Sequence, residues 1–119
     1  MYFCSMKSNI TVQVELAEDN MPENIAWIAP DGGVKDWQNS KAMLMGFWNG
    51  EAKEAARIDL WTTKMLVNEM NDFYFQTFMG MADTYHRATK NDALCDELKA
   101  FAKSFHNKAN AALETGENQ

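Results

Sequence analysis

Ala56-Arg57-Ile58-Asp59-Leu60-Trp61-Thr62-Thr63-Lys64-Met65-Leu66-Val67 is the stretch in which the chain changes its hydrophobic period. Up to Trp61, apolar Ala56, Ile58 and Leu60 alternate with Arg57, Asp59 and Trp61. That two-residue period is the pattern of a strand with one face toward a core. From Val67 onward the apolar positions recur at helical steps: Met70, Phe73, Tyr74, Thr77, Phe78, Met81, Ala82 and Tyr85. A stripe of this kind over several turns predicts a long amphipathic helix. The chain therefore passes from sheet to helix within a few residues, which is the mark of a mixed α and β fold.

Downstream, Thr89-Lys90-Asn91-Asp92 interrupts and recaps. A last amphipathic helix then carries Leu94, Cys95, Leu98, Phe101, Ala102, Phe105 and Ala109. Upstream, Met43, Leu44, Phe47 and Trp48 fall at helical spacing and predict a helix from about Ser40 to Trp48. Asn39 or Ser40 would cap it and Asn49-Gly50 would close it. Before that, Ile25–Ala29 reads as a short strand ended by Pro30-Asp31-Gly32-Gly33, whose glycines supply positive φ. Ile10, Val12, Val14 and Leu16 alternate with polar neighbours in a first strand, which Ala17–Pro22 breaks.

The predicted order is β-β-α-β-α-α. The predicted class is α+β, a small, mostly antiparallel sheet with helices packed on one face. Ile10–Leu16, Ile25–Ala29 and Ala56–Trp61 are expected in one sheet, with Ile58 facing the core, so that Ile58→Asp would unfold the domain. Residues 1–6 read as an N-terminal extension, 7–113 as a single α+β domain, and 114–119 as a C-terminal tail. Met6 is an alternative start.

Charge and composition narrow the function. Eleven basic against 17 acidic residues leave a net charge of −6, which disfavours a nucleic-acid partner and an anionic lipid surface. No apolar run approaches the roughly 20 residues of a membrane-spanning helix, and no secretory leader is recognisable at the N-terminus, so no membrane insertion and a cytoplasmic location are expected. Cys4 and Cys95 are too sparse and too far apart for a disulfide framework or a CxxC site.

Chemistry-bearing patterns are absent. His86 and His106 are the only histidines, and a His86–Cys95 pair falls short of the ligands zinc requires. There is no GxSxG, GxGxxG or P-loop lysine. No catalytic residue, cofactor or metal is expected. The least bland segment is Arg57–Thr62, where alternation puts Arg57, Asp59 and Trp61 on one face. One reading is a recognition face, since Arg and Trp anchor interfaces. The other is an internal clamp in which Asp59 pairs with Arg57 or a lysine, or accepts from the amides opening the next helix. Met70 and Met81 read as core filler, and Trp27, Trp48 and Trp61 as core. Trp37 follows Lys35-Asp36 in an expected loop and reads as exposed.

Arg57-Ile58-Asp59-Leu60-Trp61-Thr62, followed by Met65, Val67, Glu69-Met70 and Phe73, resembles the signature of the gliding-motility protein GldC family. Pro22-Glu23, Ile25, Trp27, Ala29-Pro30-Asp31-Gly32, Lys41-Ala42 and Trp48 fit it upstream, as do Gln76, Ala82-Asp83-Thr84 and Arg87-Ala88-Thr89 downstream. The likeness runs from about Met6 to Phe105, departing at Gly46 and at Leu66. It implies a small accessory protein associated with the surface-gliding machinery of certain bacteria, with no catalytic residue or cofactor to carry over. The expected function is thus a non-catalytic adaptor that binds protein partners of a cell-envelope motility complex, with a homodimer as the default self-association. The alternative is a small-ligand-binding protein or an enzyme with an unrecognised pocket.

Overall fold

The computed structural model describes residues 6–116. Cys4 and most of the expected N-terminal extension lie outside them, as do residues 117–119 of the expected tail. The chain divides into two compact units, one ending at Met65 and the other beginning at Leu66.

The first unit is all β. Strands β1 (Thr11–Leu16), β2 (Pro22–Ala29) and β3 (Val34–Ser40) form an antiparallel sheet in the order β1-β2-β3. Strands β4 (Ala42–Asn49) and β5 (Glu54–Trp61) form a separate antiparallel pair. Val12 and Val14 pair with Trp27 and Ile25 and are half-buried between exposed neighbours, as the alternation predicts, whereas Ile10 precedes the strand and it and Leu16 are exposed. Pro30–Gly32 makes one 3-10 turn, and Gly33, at φ +90°, donates its N–H to the Pro30 carbonyl. Only glycine takes that conformation without strain.

Three expectations are corrected here. The class α+β stands, but the order is β-β-β-β-β-α-α. Residues 42–49 are a strand, not a helix. Met43, Leu44, Phe47 and Trp48 belong to a largely apolar run of seven residues, 42–48, a length at which spacing does not separate strand from helix. Asn49 therefore ends no helix. It turns the β4–β5 hairpin, its side chain accepting from the amides of Glu51 and Ala52 at 3.0 Å each. Trp37 lies in β3 and not in a loop; the polar run around it is an edge strand exposed over most of its length. Finally, the strand containing Ile58 is in the two-stranded sheet, apart from β1 and β2. Ile58 is 49% exposed, so it is not a core residue.

The two sheets meet at Thr62, which is 2% exposed. Its backbone N–H donates to the Lys41 carbonyl at 2.7 Å, and its hydroxyl donates to the same oxygen at 2.8 Å. Thr63 N–H reaches the Pro22 carbonyl at 3.2 Å. Lys41 is the bend between β3 and β4, so these bonds hold the end of β5 against the strand that crosses from one sheet to the other. Ile25 and Ala26 are the other buried residues among the described residues of this unit.

The second unit is a helical hairpin of α1 (Val67–Thr89) and α2 (Asp92–Glu114). Both helices were legible in the sequence. Lys90, in the left-handed region at φ 58°, ends α1, and the Asn91 side chain caps α2 by accepting from Leu94 N–H at 3.1 Å. The helices run antiparallel, as their cross-pairs show: Asn71 with Asn110, Asp72 with His106 and Asp83 with Lys99. An aromatic seam joins them. Phe78 packs edge-on against Phe101 and Phe105, with centroids 5.7 and 5.4 Å apart, and Tyr74 stacks on Phe105 at 6.3 Å. Ala82 and Ala102 are fully buried and Cys95 nearly so. Small side chains let the helices approach closely between the rings.

Leu66 stands at the N-cap of α1. Its side chain offers no acceptor to the first free amides. Only half of a capping box exists, the Glu69 carboxylate accepting from Leu66 N–H at 3.1 Å. Leu66→Ser should therefore stabilise the fold by about 1 kcal/mol. Thr62→Val, which keeps the shape but removes the hydroxyl, should cost about 1 kcal/mol. Denaturant melts of the two variants should move the midpoint in opposite directions.

Candidate interaction surface

The β4–β5 register sorts the hairpin's side chains into two faces. Met43, Met45 and Phe47 pair with Leu60, Ile58 and Ala56, an apolar stretch of one face that ends in the polar pair Asn49 and Glu54 at the turn. The other face holds Ala42, Leu44, Gly46 and Trp48 across from Trp61, Asp59, Arg57 and Ala55. Arg57, Asp59 and Trp61 thus share a face, as their alternation requires.

On that face the Arg57 guanidinium grips the Asp59 carboxylate with two parallel bonds, Nε to Oδ2 and Nη2 to Oδ1, both 2.9 Å. Of the readings open for Asp59, the pairing with Arg57 is the one found. Gly46 lies directly across from Arg57, and a Cβ there would come within 2.9 Å of Arg57 Nη1. The missing side chain at position 46 is the space the guanidinium occupies. The glycine at position 46 therefore has a packing reason on the neighbouring strand. The Arg57 hydrogen bonds hold the Asp59 carboxyl below the ordinary carboxylate range, helped by the guanidinium charge and the Met45 backbone amide and opposed by partial desolvation.

Trp48 and Trp61 flank this ion pair and are 70% and 57% exposed. Neither is a core residue, contrary to the expectation from composition; Trp27 is half-buried. Trp37 is exposed as expected, but it stands on β3 in the other sheet and does not join the Arg57 group. In the helical unit Met81, also expected as core filler, is exposed on α1, as is Tyr85, while Phe101 is exposed on α2. The sequence offered one signal for the hairpin that brings Trp48 onto the face of Arg57. Asn-Gly between apolar runs is a hairpin turn as readily as a helix end.

Two other features complete the surface. A shallow, solvent-open depression of about 640 Å³ is lined by Glu15, Glu23, Asn39, Lys41, Thr62 and Lys64 among others. The histidines are engaged separately in the helical hairpin. His86 pairs with Asp92, and His106 with Asp72 at 2.8 Å. Among the described residues no cluster of three or more His, Cys, Asp or Glu could hold a metal ion.

A family model described as gliding motility-associated protein GldC-like matches residues 22–111, well over half of the chain. The chain belongs to the GldC-like family. The match begins with the first residue of β2 and ends within α2, so it takes in the β4–β5 hairpin and the helical seam of this GldC-like protein. No curated protein and no solved structure matches the chain. Among its described residues no helix is long and apolar enough to cross a membrane.

The ion pair generates a pH test. Because the folded-state Asp59 value is depressed, its contribution to stability is present above the unfolded-state carboxylate value and is lost as pH falls through the folded value. Arg57→Gln should return Asp59 toward the ordinary carboxylate range, as read by side-chain carboxyl NMR titration. Its stability deficit relative to the parent should close on acidification.

Proposed function

We propose that this GldC-like chain is a non-catalytic accessory protein that works by binding protein partners of the gliding-motility machinery. The observation that carries this reading is the β4–β5 hairpin, where Phe47, Trp48, Ile58 and Trp61 are each about half exposed or more. Large apolar side chains gathered on one element mark an interaction surface better than the same residues scattered singly. Arg57 between two tryptophans adds the residue types that most often dominate binding energy. Trp37 provides a further apolar contact on the three-stranded sheet. The protein acts in the cytoplasm, at the inner side of a cell-envelope complex.

The alternative is a small-ligand binder, and the polar depression at the sheet junction is its best site. It supports that reading less well, because a shallow solvated basin gives a small molecule neither enclosure nor apolar contact.

Affinity purification of the tagged chain from its native cell tests the proposal. The parent should recover a defined set of proteins that the double variant Trp48→Ser, Trp61→Ser loses while keeping its circular dichroism. A parent that recovers nothing beyond a tag-only control would end the interaction reading.

A further inference from the structure

The β4–β5 pair is incomplete as a sheet. Two strands are marginal in water, and stability requires a third strand or a packed face. Among the described residues β5 pairs with β4 alone. The direction of its outer peptide groups follows from Thr62. Thr62 N–H donates to Lys41 O, so positions 41 and 62 are a hydrogen-bonded pair. Pairs alternate along an antiparallel ladder. Leu60, Ile58 and Ala56 therefore turn their peptide groups toward β4, while Trp61, Asp59, Arg57 and Ala55 turn theirs outward.

We propose that a second copy of this chain docks on that edge, β5 against β5 about a two-fold axis at Ile58, making a four-stranded sheet across the dimer. This inference rests on the reading of the chain as an interaction module and names one partner and its register. Antiparallel pairing that keeps apolar faces together must set residues of like parity opposite each other. Centring on Arg57 would place Arg57 against its own copy, and centring on Asp59 would do the same for the carboxylates. Like charges directly opposite each other are destabilising. Centring on Ile58 instead sets Arg57 opposite Asp59 in both directions. The outward peptide groups of those same residues then form the hydrogen-bonded pairs of the new ladder. Ile58, 49% exposed in the single chain, meets its own copy at the non-hydrogen-bonded position, where side chains approach most closely. The faces match as well: the apolar stretch of Met43, Met45, Phe47, Ala56, Ile58 and Leu60 meets its own copy across the axis, Ile58 on Ile58 and Ala56 on Leu60.

Sedimentation of the full chain over a concentration series should show a monomer–dimer equilibrium. Arg57→Asp and Asp59→Arg should each weaken it by about tenfold or more, through two repulsive pairs per dimer. An equimolar mixture of the two variants should recover the parental affinity, because each like pair becomes an opposite pair. Ile58→Cys tests the register directly. Non-hydrogen-bonded partners lie about 4.5 Å apart at Cα, within disulfide reach. Mild oxidation of that variant should therefore give a dimer cross-linked through position 58 of both copies, identified by peptide mapping. Ile58→Asp should stay folded and become monomeric. A strict monomer at high concentration overturns the dimer even if the pull-down recovers other proteins. A dimer indifferent to these substitutions overturns this interface while leaving the broader interaction reading in place.

Discussion

Much of the β unit depends on a single carbonyl. Lys41 O receives both the amide and the hydroxyl of the buried Thr62, at 2.7 and 2.8 Å. Although Lys41 itself is exposed at the edge of the depression, Thr62 is buried, and its two donors converging on one acceptor fix the end of β5 beside the bend between β3 and β4. The neighbouring Thr63 amide then reaches the Pro22 carbonyl and ties that end to β2. The consequences run the length of the hairpin. Once positions 41 and 62 form a hydrogen-bonded pair, the parity of every later pair out to Asn49 and Glu54 is set. That parity decides which peptide groups of β5 face outward.

The exposed apolar surface has a geometric origin in both units. A two-stranded ribbon has two faces and no layer of its own to cover either. Met43, Met45 and Leu60 are half-buried near the sheet junction, while Phe47 and Ile58, farther along, are exposed. The helical hairpin meets the same constraint. Two helices bury only the seam between them, and the wide apolar stripe of α1 exceeds that seam. Phe78 and Phe105 occupy the seam, whereas Met81 and Tyr85 lie beyond it. Hydrophobic content in a chain of this size therefore does not convert fully into core.

Membership of the GldC-like family gives this surface a setting. The features that stand out are exposed tryptophans, an ion pair seated over a glycine, and a strand edge with alternating charges along it. An edge of this kind is a hazard when it pairs without selection. The alternation of Arg57 and Asp59 admits one register and penalises its neighbours, so the same charges that keep the edge hydrated also make it selective.

How much of this was legible depended on how far apart the determining residues lie. The helices α1 and α2, the turn at Gly33, the cap at Asn91 and the strands around Val12, Ile25 and Ile58 follow from patterns within a few residues, where period and turn chemistry operate. The family resemblance was equally local, carried by Arg57–Thr62 and its flanks. The reason for a glycine at position 46, the Arg57 guanidinium, lies on another strand and is not visible in the local sequence. The apolar run 42–49 is compatible with helix or strand, and pairing with β5 decided it through hydrogen bonds that no single segment specifies. Burial likewise was a tertiary outcome. Trp48, Trp61 and Ile58 carry the composition of a core, but strand exchange at Lys41 places them on a separate ribbon. Sequence alone determined most of the elements and the family; tertiary structure alone decided the sheet partners and the exposed faces, because those depend on contacts between residues distant in the chain.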